Sequence, residues 1–117
     1  MRRKVTDIAI EFILKLSIEK LRELTIEELA GTLEIGSDHL SRKFKKEQKI
    51  SCSEFILREK LHRAFFSLSI EREKSVDSLA KELGFSNCED FSMEFEKYHA
   101  ITPQRFKYIM DRKKLLQ

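Results

Sequence analysis

One supersecondary unit is written twice in this chain. Residues 25–55, running Thr-Ile-Glu-Glu-Leu-Ala and onward to Phe55, recur over residues 75–106 as Ser-Val-Asp-Ser-Leu-Ala and onward to Phe106. Leu29, Ala30 and Leu33 answer Leu79, Ala80 and Leu83 at an offset of 50. Leu40, Phe44, Ile50 and Phe55 answer Phe91, Phe95, Ile101 and Phe106 at an offset of 51. The added residue falls in the turn of the second copy, so the apolar register on either side survives. Self-similarity of this length implies two copies of one packing unit. Each copy reads as a short helix, a tight turn and a second amphipathic helix, the pattern of a helix-turn-helix. Duplex DNA is the partner this pattern points to first.

Little else competes with that reading. Three glycines and one proline leave few hairpin turns in 117 residues, and no β-branched alternation is sustained, so the class is all-α. The length suits one compact domain or two small lobes sharing a helix; lobes of about 50 residues have little core each and must be tied together. No apolar run approaches the roughly 20 residues that span a bilayer, and the amino terminus lacks the features of a signal peptide. Cys52 and Cys88 form no metal or redox motif and read as reduced thiols of a cytoplasmic protein. His39, His62 and His99 are scattered singly and read as surface or half-buried residues, not ligands. No motif places a catalytic set, a glycine-rich phosphate loop or paired metal ligands, so the expectation is a non-enzyme without cofactor or metal.

Along the chain the spacing predicts seven helices. Ile8, Phe12 and Leu16 mark the first, over residues 4–17. Thr25 to Glu28 is a capping box opening a helix over residues 26–33. Gly36 is expected to turn the chain with a positive φ, and Gly36 or Ser37 to cap a helix over residues 38–48. Ser51 to Glu54 is a second capping box, starting a long helix over residues 52–68 whose Leu57, Leu61, Ala64, Phe65 and Leu68 keep helical spacing. Ser75, Asn87 and Thr102-Pro103 open the last three helices. The lobes expected from this are residues 1–50 and 73–117, with residues 51–72 connecting them. Phe44, Phe55, Phe91, Phe95 and Phe106 recur with aliphatics and read as core, not as base-stacking platforms.

The two copies differ in charge. From Asp38 to Lys49 the second helix of the first copy carries five cations, Arg42, Lys43, Lys45, Lys46 and Lys49, against Asp38 and Glu47, a net of +3. The matching stretch from Asn87 to Tyr98 carries Lys97 against Glu89, Asp90, Glu94 and Glu96, a net of −3. A whole-chain excess of +3 permits nucleic-acid binding without demonstrating it; the distribution says more.

These residues resemble the DNA-binding domain of AraC/XylS-type bacterial transcription regulators over nearly the whole chain. The matching marks are Leu29-Ala30, then Leu40-Ser41-Arg42-Lys43-Phe44-Lys45-Lys46, then Phe55-Ile56 with Lys60-Leu61 and Ala64. The second copy adds Leu79-Ala80, Gly84-Phe85-Ser86, Phe91-Ser92, Phe95 and Thr102-Pro103 before Arg105-Phe106-Lys107. The resemblance implies two helix-turn-helix lobes joined by a long central helix, with two recognition helices entering successive major-groove segments about 34 Å apart. Its groove-facing positions fall on Ser37, Asp38, Ser41, Arg42 and Lys45 in the first copy. Arg42 is the strongest candidate, since a guanidinium offers paired donors to guanine O6 and N7 worth about 1–3 kcal/mol of discrimination. Ser41 suits a base edge, while Lys45, Lys46 and the helix amino terminus suit phosphates.

In the second copy the family's positions fall on Asn87, Cys88, Glu89, Asp90 and Met93. Here the chain departs from the pattern: the family usually has Arg at Met93, Lys at Glu96, Gly at Ala100 and Ser at Gly36. Carboxylates accept from cytosine N4 but are repelled by phosphates, so the first copy is expected to carry most of the affinity. Cys88 on that helix reads as a small neutral side chain. Two functions remain open at this point. One is sequence-specific regulation of bacterial transcription by a cytoplasmic, monomeric DNA-binding domain with no effector domain of its own. The other is a protein-interaction module whose acidic second lobe docks a basic partner such as an RNA polymerase subunit.

Overall fold

The computed structural model describes residues 4–115, and no strand occurs among them. Eight helices follow in chain order: α1 Val5–Lys15, α2 Ile18–Glu23, α3 Ile26–Thr32, α4 Ser37–Gln48, α5 Cys52–Ile70, α6 Val76–Glu82, α7 Cys88–His99 and α8 Pro103–Leu115. The all-α expectation holds, and the expected count of seven is corrected to eight. The first helix stops where Leu16 turns extended, and Ser17 opens α2 by accepting from the Lys20 amide at 3.3 Å. Lysine, not glutamate or glutamine, follows three residues after Ser17, so only half of a capping box marks this restart in the sequence. The extra turn delivers Leu21, fully buried, to the core.

The chain forms two compact units that divide between Glu59 and Lys60, inside α5. The outer ends of the expected lobes, residues 1–3 and 116–117, lie outside the described residues. In the first unit, α4 packs on α3 and α1. Ala9, Ile13, Leu21, Leu29, Leu40, Phe44, Cys52 and Ile56 make its core, and Phe55 meets Phe44 edge-on with ring centroids 5.5 Å apart. Each large side chain fully buried this way contributes about 1.5–3 kcal/mol.

In the second unit, α7 packs on α6, and α8 on both. Leu79, Leu83, Phe91 and Phe95 are buried there, and Phe65 stacks on Phe106 at 4.3 Å. His99 is half-buried, as expected, with Nε2 3.0 Å from the Leu61 carbonyl and its ring 4.5 Å from that of Phe95. Phe65 keeps 37% of its surface exposed, so it lies at the edge of this core, not inside it.

The expected N-caps form. Thr25 accepts from the Glu28 amide at 3.1 Å, Ser51 from Glu54 at 3.0 Å, Ser75 from Ser78 at 3.0 Å, Asn87 from Asp90 at 2.7 Å and Thr102 from Arg105 at 3.1 Å. The box glutamates take other partners. Glu28 accepts from the Thr25 hydroxyl at 3.3 Å, and Glu54 accepts from Arg58 Nε at 3.3 Å.

The turn between the paired helices is the same motif in both copies, and it corrects the expectation for Gly36. After α3, the Ile35 amide donates to the Ala30 carbonyl and the Glu34 amide to Gly31; after α6, Phe85 donates to Ala80 and Gly84 to Lys81. This is the Schellman pattern, closed by a left-handed residue. That residue is Gly84 at φ 85° in the second copy and Glu34 at φ 59° in the first. Gly36 is extended, at φ −70° and ψ 145°, and serves as the N-cap of α4. The chain turns two residues earlier than the glycine suggests, because the paired amide bonds to α3 require the left-handed residue immediately after its last turn. A side chain in that region costs about 1–2 kcal/mol. Glu34→Gly should therefore raise stability by about 1 kcal/mol, read as a higher urea midpoint at unchanged slope. A lower midpoint would show that the Glu34 side chain supplies more than its backbone strain removes.

Candidate nucleic-acid interface

Each helix-turn-helix buries one face of its second helix and leaves the other to solvent. In α4, Leu40 and Phe44 are fully buried one turn apart. Helical spacing then turns Asp38, Ser41, Arg42, Lys45 and Lys46 outward, and all five are exposed; Ser37, the first residue of the helix, is half-buried. Among the described residues, Arg42, Lys45 and Lys46 form no ion pair. Their donors are available to an outside acceptor. Alongside them runs an open groove of about 410 Å³ lined by Lys4, His39, Arg42, Lys43, Lys46 and Glu47. His39, Lys43 and Lys4 of this lining are not among the recognition residues expected from the sequence, although i, i+4 spacing stacks the first two on one flank of α4.

In α7, Phe91 and Phe95 take the buried positions of Leu40 and Phe44. Both helices are 12 residues long and begin directly after their caps, Gly36 and Asn87, so the offset of 51 holds along their whole length. By that register Asp38 answers Glu89, Ser41 answers Ser92, Arg42 answers Met93 and Lys45 answers Glu96. Glu89 and Glu96 are exposed, and Met93 is 69% exposed.

The remaining second-copy candidates have partners inside the protein. Asn87 accepts from the Asp90 amide and also donates from Nδ2 to Asp90 Oδ2 at 3.3 Å, so this pair caps the helix. Cys88 is half-buried, its Sγ 4.0 Å from Ser92 Oγ. Gln104 Nε2 donates to Ser92 Oγ at 2.8 Å and to Cys88 Sγ at 3.8 Å. Ser92, Glu96 and Gln104 were not singled out as contacts from the sequence. The offset of 51 would have found the first two; Gln104 comes from another helix and carries no such signal.

A family model described as a helix-turn-helix domain matches residues 29–108. The chain belongs to the AraC-type helix-turn-helix family. Among its relatives, an uncharacterized HTH-type transcriptional regulator, YtdP of Bacillus subtilis (strain 168), is 35% identical over 85 residues, covering 73% of this chain and 11% of YtdP. The bifunctional transcriptional activator/DNA repair enzyme AdaA of the same organism is 34% identical over 101 residues, covering 86% of this chain and 46% of AdaA. The chain thus spans less than half the length of these relatives. The C-terminal domain of the two-component response regulator yesN from Fusobacterium nucleatum superposes with a TM-score of 0.71 at 25% identity, covering 86% of this chain and 95% of that one. The DNA-binding domain of AdpA, solved in complex with a target DNA, has the same fold at a TM-score of 0.78 and 16% identity, covering 98% of this chain and 100% of that one. Among the described residues of this AraC-type domain, no helix is long and apolar enough to cross a membrane.

Neither cysteine is set up as a reactive thiolate. Hydrogen bonding with Asp77 is the chief reason the Cys88 thiol titrates above its ordinary range, with partial burial adding to it. Burial pushes Cys52 up to about 11. Both groups therefore stay protonated at neutral pH, and the thiolate is the reacting form. Alkylation by iodoacetamide at pH 7.5 should be slower at Cys88 than in a free cysteine peptide, and Cys52 should react only on unfolding. Rapid modification of Cys88 at that pH would contradict this assignment.

Proposed function

We propose that this AraC-type domain binds double-stranded DNA in a sequence-specific manner for bacterial transcription regulation, with α4 dominant in the major groove. The observation that carries the reading is the exposed cationic face of α4, whose Arg42, Lys45 and Lys46 form no ion pair among the described residues, on the second helix of a helix-turn-helix in a family of DNA-binding transcription regulators. Arg42 donates in pairs to a guanine edge, and Ser41 lies one position away on the same exposed face. Lys45 and Lys46 neutralise phosphates and hold register, with Ser37 and Asp38 at the start of the helix nearest the backbone. The domain works as lobes over residues 1–50 and 73–117 joined by residues 51–72, as a monomer in the cytoplasm and without catalysis or a cofactor.

On α7 the roles divide. Glu89 and Met93 are the side chains presented outward, Asn87 and Asp90 are engaged in the cap, and Cys88 is turned toward Ser92 and Gln104. With Glu96 also exposed, this face repels phosphates and adds little to affinity. Its acidic surface around Met93 favours a second reading, in which the second lobe docks a basic partner such as an RNA polymerase subunit.

Selection of bound duplexes from a random pool at moderate salt tests the proposal. A site should emerge, and Arg42→Ala should weaken it by about 1–3 kcal/mol while relaxing preference at one or two base pairs. Glu89→Gln should tighten binding or leave it unchanged. Weaker specific binding by Glu89→Gln would mean that this carboxylate reads a base, and absence of any enriched duplex would favour the protein-docking role.

A further inference from the structure

One strip of α4 runs beside the base-reading face and shares Arg42 with it. His39, Arg42, Lys43, Lys46 and Glu47 stand at i, i+3, i+4, i+7 and i+8, which stacks them along one flank of the helix. With Lys4, the N-cap residue of α1, they line the open groove of about 410 Å³. Four cations and an imidazole meet one carboxylate there. Glu47 sits next to buried Phe44 in the helical wheel, and its Oε2 is buried without a hydrogen-bond partner among the described residues, so the carboxylate lies on the inner wall. Lys4, His39, Arg42 and Lys46 occupy the exposed rim, and Lys43 is half-buried between them.

The second copy supplies an internal control. In the register set by the buried aromatics, the same strip of α7 is Asp90, Met93, Glu94, Lys97 and Tyr98. One cation and two carboxylates there replace three cations, a histidine and one carboxylate. Two copies of one backbone frame thus present opposite charge on the same flank. Asp90 serves the cap of α7, but Met93 and Glu94 lie beyond it, so the contrast of Arg42 and Lys43 with them does not follow from the shared frame.

We infer that the Lys4–His39–Lys43–Lys46 groove is a phosphodiester seat. It clamps the backbone of one DNA strand beside the major groove while Ser41 and Arg42 face the bases, and of its four groups α7 keeps only a lysine in the place of Lys46, Lys97. This deepens the DNA-binding reading and rests on it. The chemistry needed is compact positive charge and N–H donors at the wall of a shallow groove. Lysine ammonium groups provide both, and an imidazole N–H adds a donor. Contacts of this kind position a helix without reading sequence, so they show in the salt dependence of binding and not in base preference.

The test is the slope of log K against log salt concentration for the intact chain on its selected duplex and on an unrelated one. Lys4→Ala, Lys43→Ala and the stem-preserving Lys43→Gln should each make the slope shallower by about 0.9. Affinity for both duplexes should fall by the same factor, leaving their ratio unchanged, and Lys97→Ala on α7 should leave the slope as it was. Wild-type binding with an unaltered slope in the Lys4 and Lys43 variants would overturn the seat alone. A change in the ratio between duplexes would also overturn it, since these groups would then be reading bases. No duplex binding by the wild-type chain would sink the DNA-binding reading itself, and the seat with it.

Discussion

Burial of two side chains one helical turn apart sets what each copy can offer to a partner. Leu40 and Phe44 in α4, and Phe91 and Phe95 in α7, are removed from solvent completely. A helix has one set of side-chain directions, so these two positions decide which residues face out. Arg42, Lys45 and Lys46 are exposed as a consequence of where Leu40 and Phe44 go. Substituting the core would rotate or loosen the face, whereas changing the face leaves the core intact. The chemistry of the surface is therefore free to diverge between copies while the scaffold stays the same.

Divergence is what the two copies show. Their helices match in length, in the Schellman turn before them and in a left-handed C-cap, Lys49 at φ 68° and Ala100 at φ 63°. They part at the caps and on the surface. Gly36 has no side chain to offer α4, while Asn87 and Asp90 exchange bonds at the start of α7. Carboxylates at a helix amino terminus are favoured by the local dipole, so part of the acidity of α7 has a structural origin. Glu94 and Glu96, beyond the first turn, have no such explanation.

The repeat made the two helix-turn-helix units legible because apolar spacing, cap residues and turn length are all local. Thr25, Ser51, Ser75, Asn87 and Thr102 each capped where expected, since an orphan amide three residues on is the nearest donor a short side chain reaches. Two local readings went astray. The expected first helix ended at residue 17, and the stretch beyond it, assigned to no helix, forms α2 behind the Ser17 cap. Gly36 drew attention as the flexible residue, yet Glu34 takes the left-handed conformation because backbone hydrogen bonding outweighs a strain of about 1–2 kcal/mol.

By itself the sequence determined the helical class, the doubled unit, the buried aromatics and the contrast in charge between α4 and α7, all of which follow from residue spacing along one chain. Tertiary structure alone decided which polar side chains are spoken for. Gln104 reaches Ser92 and Cys88 from another helix, Asp77 bears on the Cys88 thiol, and Lys4 joins a groove with residues of α4. Those meetings join positions 11 to 43 residues apart, and no local periodicity encodes them. Packing brings them together, and with them the difference between a charged helix face and a groove of fixed shape.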